Sequence, residues 1–262
     1  MNDLPKISVP IICSNNEETI GLVLESIKDI AFEIIVIIDT KSKDKTYEIV
    51  NKYTDKVSIE PWRGFLQQKN EALKRCQGDW VLCLDSDEVV SPTLKDEIVK
   101  AVTSNDIKGY FLNRRTVYLG REMKFAWQPD FRLRLCLRTQ EVAWVGESFH
   151  ETLFAPGKTA KLKGVLYHYS YKDLADHLTR TLQYAKGVAE IRFKNNKKFS
   201  FLKLLIAPPF AFFKQYFIKG GVFDGFPGLL AALSSAFYSF LKLIYLWELE
   251  KIDFESKKLQ EK

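Results

Sequence analysis

Residues 79–92 read "DWVLCLDSDEVVSP", an apolar run that ends in two carboxylates, Asp85 and Asp87. Two readings are open from this stretch alone. It is a surface loop after a buried strand, or a metal site that holds a phosphorylated substrate. The unbroken apolar character of residues 80–84 predicts a strand covered on both faces, as in a parallel sheet. Upstream, "KISVPIIC" (6–13) and "AFEIIVIID" (31–39) are short β-branched runs of the same kind. Between them "EETIGLVLESIKDI" puts Ile20, Val23, Leu24 and Ile27 at helical spacing. A second helix is expected in "SKDKTYEIVNKYT", a strand at "KVSIE" and a third helix in "FLQQKNEALKRCQ". This alternation predicts an α/β fold with a mostly parallel central sheet flanked by helices. Ligands of such sheets bind beyond the carboxyl ends of the strands, where Asp39 and Asp85 both stand.

Downstream, "SPTLKDEIVKAVTS" is a helix with Ser91 as N-cap and Pro92 at its first position. The strands expected next, "GYFLNRRTVYLG", "FRLRLCLR" and "GVLYHYSY", would wall the crevice on the acceptor side. Arg132 and Arg134 alternate with Leu133 and Leu135, so both arginines face one side of their strand.

The 262 residues, 46% hydrophobic, can bury a full core, and the length favours one large domain with an appendage. The boundary is set at residues 1–171 for the catalytic domain and 172–262 for a basic, aromatic-rich helical extension. Cys13, Cys76, Cys83 and Cys136 show no paired metal spacing, and Cys13 and Cys83 read as small core residues of a reducing cytosol. The amino terminus has no secretory signal pattern, so export is not expected.

Net charge is only +6, but residues 172–219 hold ten Lys/Arg against three Asp/Glu. That local basic surface calls for an anionic partner. The tail from Phe199 is dense in Phe, Leu and Tyr, with Lys203, Lys214 and Lys242 scattered through it. Its longest uncharged run, Gly225–Leu241, has 17 residues and falls short of the roughly 20 that span a bilayer. Helices lying in the interface, lysines toward an anionic membrane surface, fit composition and charge together; a hairpin packed on the main domain or in a dimer is the alternative. A nucleic-acid partner is not expected, because the basic segment is interleaved with long apolar stretches and has no nucleic-acid motif.

An Asp-x-Asp at a strand end offers hard oxygen ligands for Mg²⁺ or Mn²⁺, and such an ion would neutralise a diphosphate leaving group. The same run also fits the first motif of haloacid-dehalogenase-type phosphatases, but the closing acid pair which that chemistry needs does not follow. In order along the chain stand "SVPIICSNNEETI", "IIVIIDTKSKDKTYEI", "WRGFLQQKNEAL", "GDWVLCLDSDEVVSP", "QPDFRLRLCLR", "ESFHE", "LYHYSY" and "FYSFLKLIYLWE". Through these eight segments the chain resembles the family 2 glycosyltransferases of GT-A fold, and within them the bacterial lipopolysaccharide core β-1,4-glucosyltransferase subgroup.

The resemblance implies an inverting transfer of a hexose, glucose first, from a UDP-sugar to a lipid-linked glycan acceptor. The acceptor would be the lipopolysaccharide inner core or an undecaprenyl-linked oligosaccharide. The enzyme would be cytoplasmic and peripheral on the inner face of the bacterial inner membrane. Asn15 and Asp39 would line the uridine pocket, with Glu17 supplying a carboxylate beside it. Lys69 and Asn70 would approach the nucleotide sugar, although a solvated helix face remains open for Lys69. Asp85 would contact the ribose and metal region and Asp87 would be the principal metal ligand, with His168 or His150 completing the shell. Arg134 would hold the diphosphate; an ion-paired strand arginine is the alternative. Asp130, in "PDFRLRL", would be the base that takes the acceptor proton, with Glu151 the second candidate. Asn16 and the "CS" before Asn15 depart from the usual pattern, which bears on donor choice. His177 is given no role.

Overall fold

The computed structural model describes residues 5–146 and 151–260. It divides into two compact units, one of residues up to Thr116 with Pro129–Tyr169, the other of Val117–Gln128 with residues from Ser170 onward. In the first unit β1 (Ile7–Cys13), β2 (Glu33–Asp39), β3 (Val57–Glu60) and β4 (Trp80–Leu82) form a parallel block in the order β3-β2-β1-β4. The expected runs therefore do become parallel strands, and their carboxyl ends, with Asp39 and Asp85, share one edge.

Beyond β4 the sheet changes direction. The strand β8 (Phe131–Leu137) lies antiparallel to β4, and β6 (Gly109–Tyr118) antiparallel to β8. The strand β11 (Thr159–His168) runs parallel to β6, and β5 (Glu88–Val90) closes the edge antiparallel to β11. Only five residues join β4 to β5, yet the sheet order separates them by four strand spacings, roughly 19 Å. The Glu88 amide donates to the Asp85 carbonyl at 3.1 Å, so that connection contains a turn and is not fully extended. The sheet must curl to bring β5 back, and "DSDE" crosses its rim.

Both faces are covered, which is why the parallel strands need no polar alternation. Ile7, Val9 and Ile11 of β1 with Ile34, Val36 and Ile38 of β2 join one core with α1 (Ile20–Ile27) and α4 (Pro92–Ala101). The four apolar residues of α1 picked from spacing are its four buried residues. On the other face Ile35, Val81, Cys83 and Cys136 pack with Leu73 and Cys76 from α3 (Phe65–Lys74) and its end. Ser91 caps α4 as expected, its Oγ accepting from the Leu94 amide at 3.2 Å. The second predicted helix shrinks to α2 (Thr46–Val50), because Asp44 before it binds the Thr46 and Glu17 amides and Ser42 Oγ instead of extending the helix. A short hairpin, β9 (Ala143–Val145) with β10 (Thr152–Phe154), had no signature in the sequence reading.

In the second unit β7 (Arg121–Glu122) pairs with the end of β6. The buried Asp224 accepts from the amides of Lys124, Phe125 and Ala126 and holds this segment to the turn Gly221–Asp224. His177, on α5 (Leu174–Lys194), is buried with its Nδ1 against the Tyr118 hydroxyl at 2.7 Å and its Nε2 against Ser234 Oγ at 2.9 Å. The helix α6 (Phe201–Phe213) contains Pro208 and Pro209, runs into a π-helical turn, Lys214–Ile218, and buries none of its residues. After the turn, α7 extends over Gly225–Gln260. Phe201–Ile218 and Gly221–Lys258 are each long and apolar enough to cross a membrane by length and composition.

One close contact in the first unit is decisive for packing. Gly164 lies at the irregularity of β11, and a Cβ there would stand 2.5 Å from Leu94 Cα on α4. Gly164→Ala is expected to lower stability by about 2 kcal/mol through overpacking, measured by urea denaturation. A variant as stable as the wild type would contradict this packing of β11 on α4.

Candidate active site

At the rim of the parallel block the first two βα loops are stapled together. Asn15, in the left-handed region at φ 53°, accepts at Oδ1 from the Lys43 amide, and its own amide donates to Ser42 Oγ. Glu17 accepts from the Lys45 amide at 3.0 Å while its own amide donates to Asp44. Asp39 is buried at the end of β2 and commits Oδ1 to the Lys41 amide at 3.1 Å. Its other oxygen has no partner among the described residues. A polar edge thus forms from Asn15, Glu17 and Asp39, in which Asp39 and Glu17 each keep one carboxylate oxygen without a partner among the described residues.

The next feature is a chain of alternating charges. Asp85 accepts from Lys69 Nζ at 2.7 Å on Oδ1 and from Arg134 at 2.6 Å on Oδ2. Lys69 reaches Glu151 at 3.2 Å, and Arg134 reaches Glu88 at 2.7 Å. Glu88 also accepts from Arg114 at 3.3 Å, and Arg114 binds Asp130 at 2.7 Å. Asp130 gives its second oxygen to Arg132 at 2.8 Å. The sequence Asp130, Arg114, Glu88, Arg134, Asp85, Lys69, Glu151 is therefore continuous, with one base candidate at each end.

Register explains this assembly. The Cys83 amide donates to the Arg134 carbonyl, so β8 carries Arg134 up beside the end of β4, where Asp85 follows two residues later. Lys69 comes from α3 and lies 4.3 Å from the centre of the Trp144 ring. Asn70, next to it, makes two bonds of 2.9 Å to the backbone of Trp144. Both groups of its amide are engaged, so Asn70 positions the β9 strand and, through it, the ring under Lys69.

Electrostatics follows from burial. Leaving water would raise the Asp85 carboxyl, but Arg134 and Lys69 hold it well below the usual carboxylate range. Burial would lower Lys69, yet Asp85 outweighs it and the ammonium is held above its ordinary value. Arg134, only 4% exposed, and Arg114 are likewise held charged against burial by their acids. Arg134 is thus an ion-paired strand arginine, and a diphosphate would share it with Asp85 and Glu88.

Asp87 differs from its neighbours. No lysine or arginine among the described residues pairs with it; its Oδ2 lies 3.4 Å from His168 Nε2. The Tyr169 amide donates to the Asp87 carbonyl and His168 pairs with Glu88 across β11 and β5, which fixes the two side chains together. A carboxylate and an imidazole at this separation fit neighbouring positions in one metal shell. Among the described residues no third His, Cys, Asp or Glu joins them. Mg²⁺ and Mn²⁺ bind through one or two protein groups with waters and substrate phosphates filling the rest, so the pair could hold either ion. His150, the other candidate, lies outside the described residues.

Sequence reasoning missed Glu88 and Arg114, although Glu88 stands in the same "DSDE" stretch. The signal was its acid type next to two acids already chosen. Nothing local marks Arg114 apart from the adjacent Arg115.

Residues 8–148 match the family described as Glycosyl transferase family 2. An uncharacterized glycosyltransferase of Rickettsia typhi is 31% identical over 94% of this chain and 88% of its own length. The lipopolysaccharide core biosynthesis glycosyltransferase LpsC of Rhizobium meliloti is 28% identical, covering 94% of each chain. Among solved structures, glucosyl-3-phosphoglycerate synthase of Mycobacterium tuberculosis in complex with Mg²⁺ and UDP is 20% identical over 75% of this chain and 81% of that chain. Its TM-score is 0.45, a likeness too distant to bear on chemistry.

The Asp85 carboxyl, held low in the fold, contributes stability that is fully present above the ordinary value near pH 4 and is lost as pH falls below it. Asp85→Asn is expected to lower stability at pH 7 by about 2 kcal/mol, since two buried cations each lose an acid. The gap to wild type should narrow from pH 4 to pH 3 in urea denaturation without added metal. A gap constant down to pH 3 would contradict the ion pairs.

Proposed function

The chain belongs to glycosyl transferase family 2 and has its GT-A fold, and we propose that it is a metal-dependent inverting hexosyltransferase using a UDP-sugar, with glucose the first choice. The observation that carries this reading is Asp87 beside His168 at the strand ends, next to an Asp85 already neutralised by two cations. Asp87 and His168 would hold a Mg²⁺ or Mn²⁺ ion at this rim. The chemistry such an ion would supply when bound is neutralisation of charge developing on the leaving group. Asp39 offers its uncommitted oxygen to the uracil, and the stapled loop of Asn15 and Glu17 shapes the pocket beside it. Asp85 retains lone pairs beyond those used by Lys69 and Arg134, enough to accept from the ribose or a metal-bound water. Lys69 and Arg134 supply fixed positive charge where the diphosphate leaves.

Asp130 takes the proton of the acceptor hydroxyl as that oxygen attacks the anomeric carbon. One observation favours a second reading: Asp130 commits an oxygen to each of two arginines, whereas among the described residues Glu151 commits one oxygen, to Lys69. Glu151 would then be the base and Asp130 the anchor of Arg114.

The similarity to LpsC supports a lipid-anchored glycan acceptor, the lipopolysaccharide inner core first and an undecaprenyl-linked oligosaccharide second. A catalytic domain over 1–171 with an extension over 172–262 is consistent with that acceptor. On α6, Phe201, Leu202, Leu205, Ile206, Phe210 and Phe213 are all more than half exposed, with Lys203 and Lys214 beside them. Such a surface lies in the interface of anionic lipid, on the cytoplasmic face of the inner membrane.

Calorimetry with UDP and Mn²⁺ tests the site. Asp87→Ala is expected to abolish metal-dependent UDP binding, whereas Asp130→Asn should bind as wild type and lose roughly a thousandfold in turnover. Loss of binding in Asp130→Asn would sink its assignment as base, and full turnover would transfer the role to Glu151. For the extension, the double variant Leu205→Asp, Phe210→Asp should sediment with anionic vesicles at least tenfold less, while neutral vesicles bind neither protein. Equal sedimentation of variant and wild type would contradict the interfacial reading.

A further inference from the structure

We infer that Glu88 is a positioning residue for transfer: its buried carboxylate fixes the donor carboxylate Asp85 and the base candidate Asp130 relative to each other. The inference rests on the reading of the site as a UDP-sugar transferase. Glu88 has no exposed surface. Its Oε1 accepts from Arg134 at 2.7 Å and from Arg114 at 3.3 Å, and its Oε2 accepts from the Asp85 amide at 3.1 Å. One carboxylate therefore holds the Asp85 backbone, the arginine that grips the Asp85 side chain, and the arginine that grips Asp130.

The charge balance shows why an acid is required. Arg134 is buried and Arg114 is half-buried beside it, and the two cations repel one another. Glu88 is the acid they share. Without its charge, Arg134 keeps Asp85 and Arg114 keeps Asp130, but nothing negative stands between the two cations. Each guanidinium then turns further onto its own acid, and the two acids move apart together with their arginines. A misplacement of about 1 Å is enough to cost two orders of magnitude in rate. The carboxylate does not reach solvent, so Glu88 acts through Asp85, Arg114 and Arg134 and not on the substrate.

The experiment uses the full chain with Mn²⁺ and the UDP-sugar that wild type hydrolyses fastest, reading UDP release for turnover and calorimetry for UDP binding. Glu88→Gln is expected to lower kcat at least 100-fold while the Kd for UDP with Mn²⁺ changes less than threefold. Retained binding also shows that the variant folds. Glu88→Asp keeps the charge but is one methylene shorter, and should lose about tenfold in kcat with binding and Tm unchanged. It decides the matter if Glu88→Gln does not fold. Wild-type kcat in either variant would overturn the inference, as would a loss of kcat that only follows a loss of UDP binding. If wild type neither binds nor releases UDP, the functional reading fails, and the positioning role fails with it.

Discussion

The site depends on one buried guanidinium. Arg134 sits in β8, the first antiparallel strand beside the parallel block, and its carbonyl accepts from Cys83 at the end of β4. That register places its side chain between Asp85 and Glu88 with almost no exposure. A buried cation of this kind is stable only when acids surround it. The acids in turn must be held by further cations, and so the chain of alternating charges extends to Asp130 on one side and Glu151 on the other. The curl of the sheet and the turn in "DSDE" serve the same end, because together they bring β5 and Glu88 back to the rim.

Much of this was legible in sequence because it follows from local patterns. Unbroken β-branched runs became the parallel strands, helical spacing gave the buried face of α1, and Ser91 with Pro92 gave the start of α4. Asp39 and Asp85 reached one edge because parallel strands end on one side. What the sequence did not display was partnership. Whether Asp85 faces a metal or two cations depends on residues 16 before it and 49 after it in the chain. Asn70 has the residue type of a ligand-binding amide, yet it holds the backbone of Trp144. His177 carried no signal at all, since its place between Tyr118 and Ser234 is set by how α5 and α7 pack.

Within "DSDE" three acids have three different environments. Asp85 is neutralised by cations, Glu88 is sealed between arginines, and Asp87 stands with a histidine. Three similar acids at the sequence level thus separate into three environments, to which the proposed roles of donor carboxylate, framework carboxylate and metal ligand correspond. The extension is read on a different principle. An amphipathic soluble helix buries its apolar side, whereas α6 buries none of its residues and keeps lysines among its aromatics. That pattern is what an anionic lipid interface accommodates.

The central claim is that the carboxylates at the strand ends bind a UDP-sugar through a divalent ion. It is tested most directly by UDP release from a panel of UDP-sugars by the purified full chain, with Mn²⁺ and with EDTA. The account predicts release from one sugar above the others, present with Mn²⁺ and abolished by EDTA. Release that is indifferent to EDTA, or no UDP binding in the presence of Mn²⁺, would contradict it.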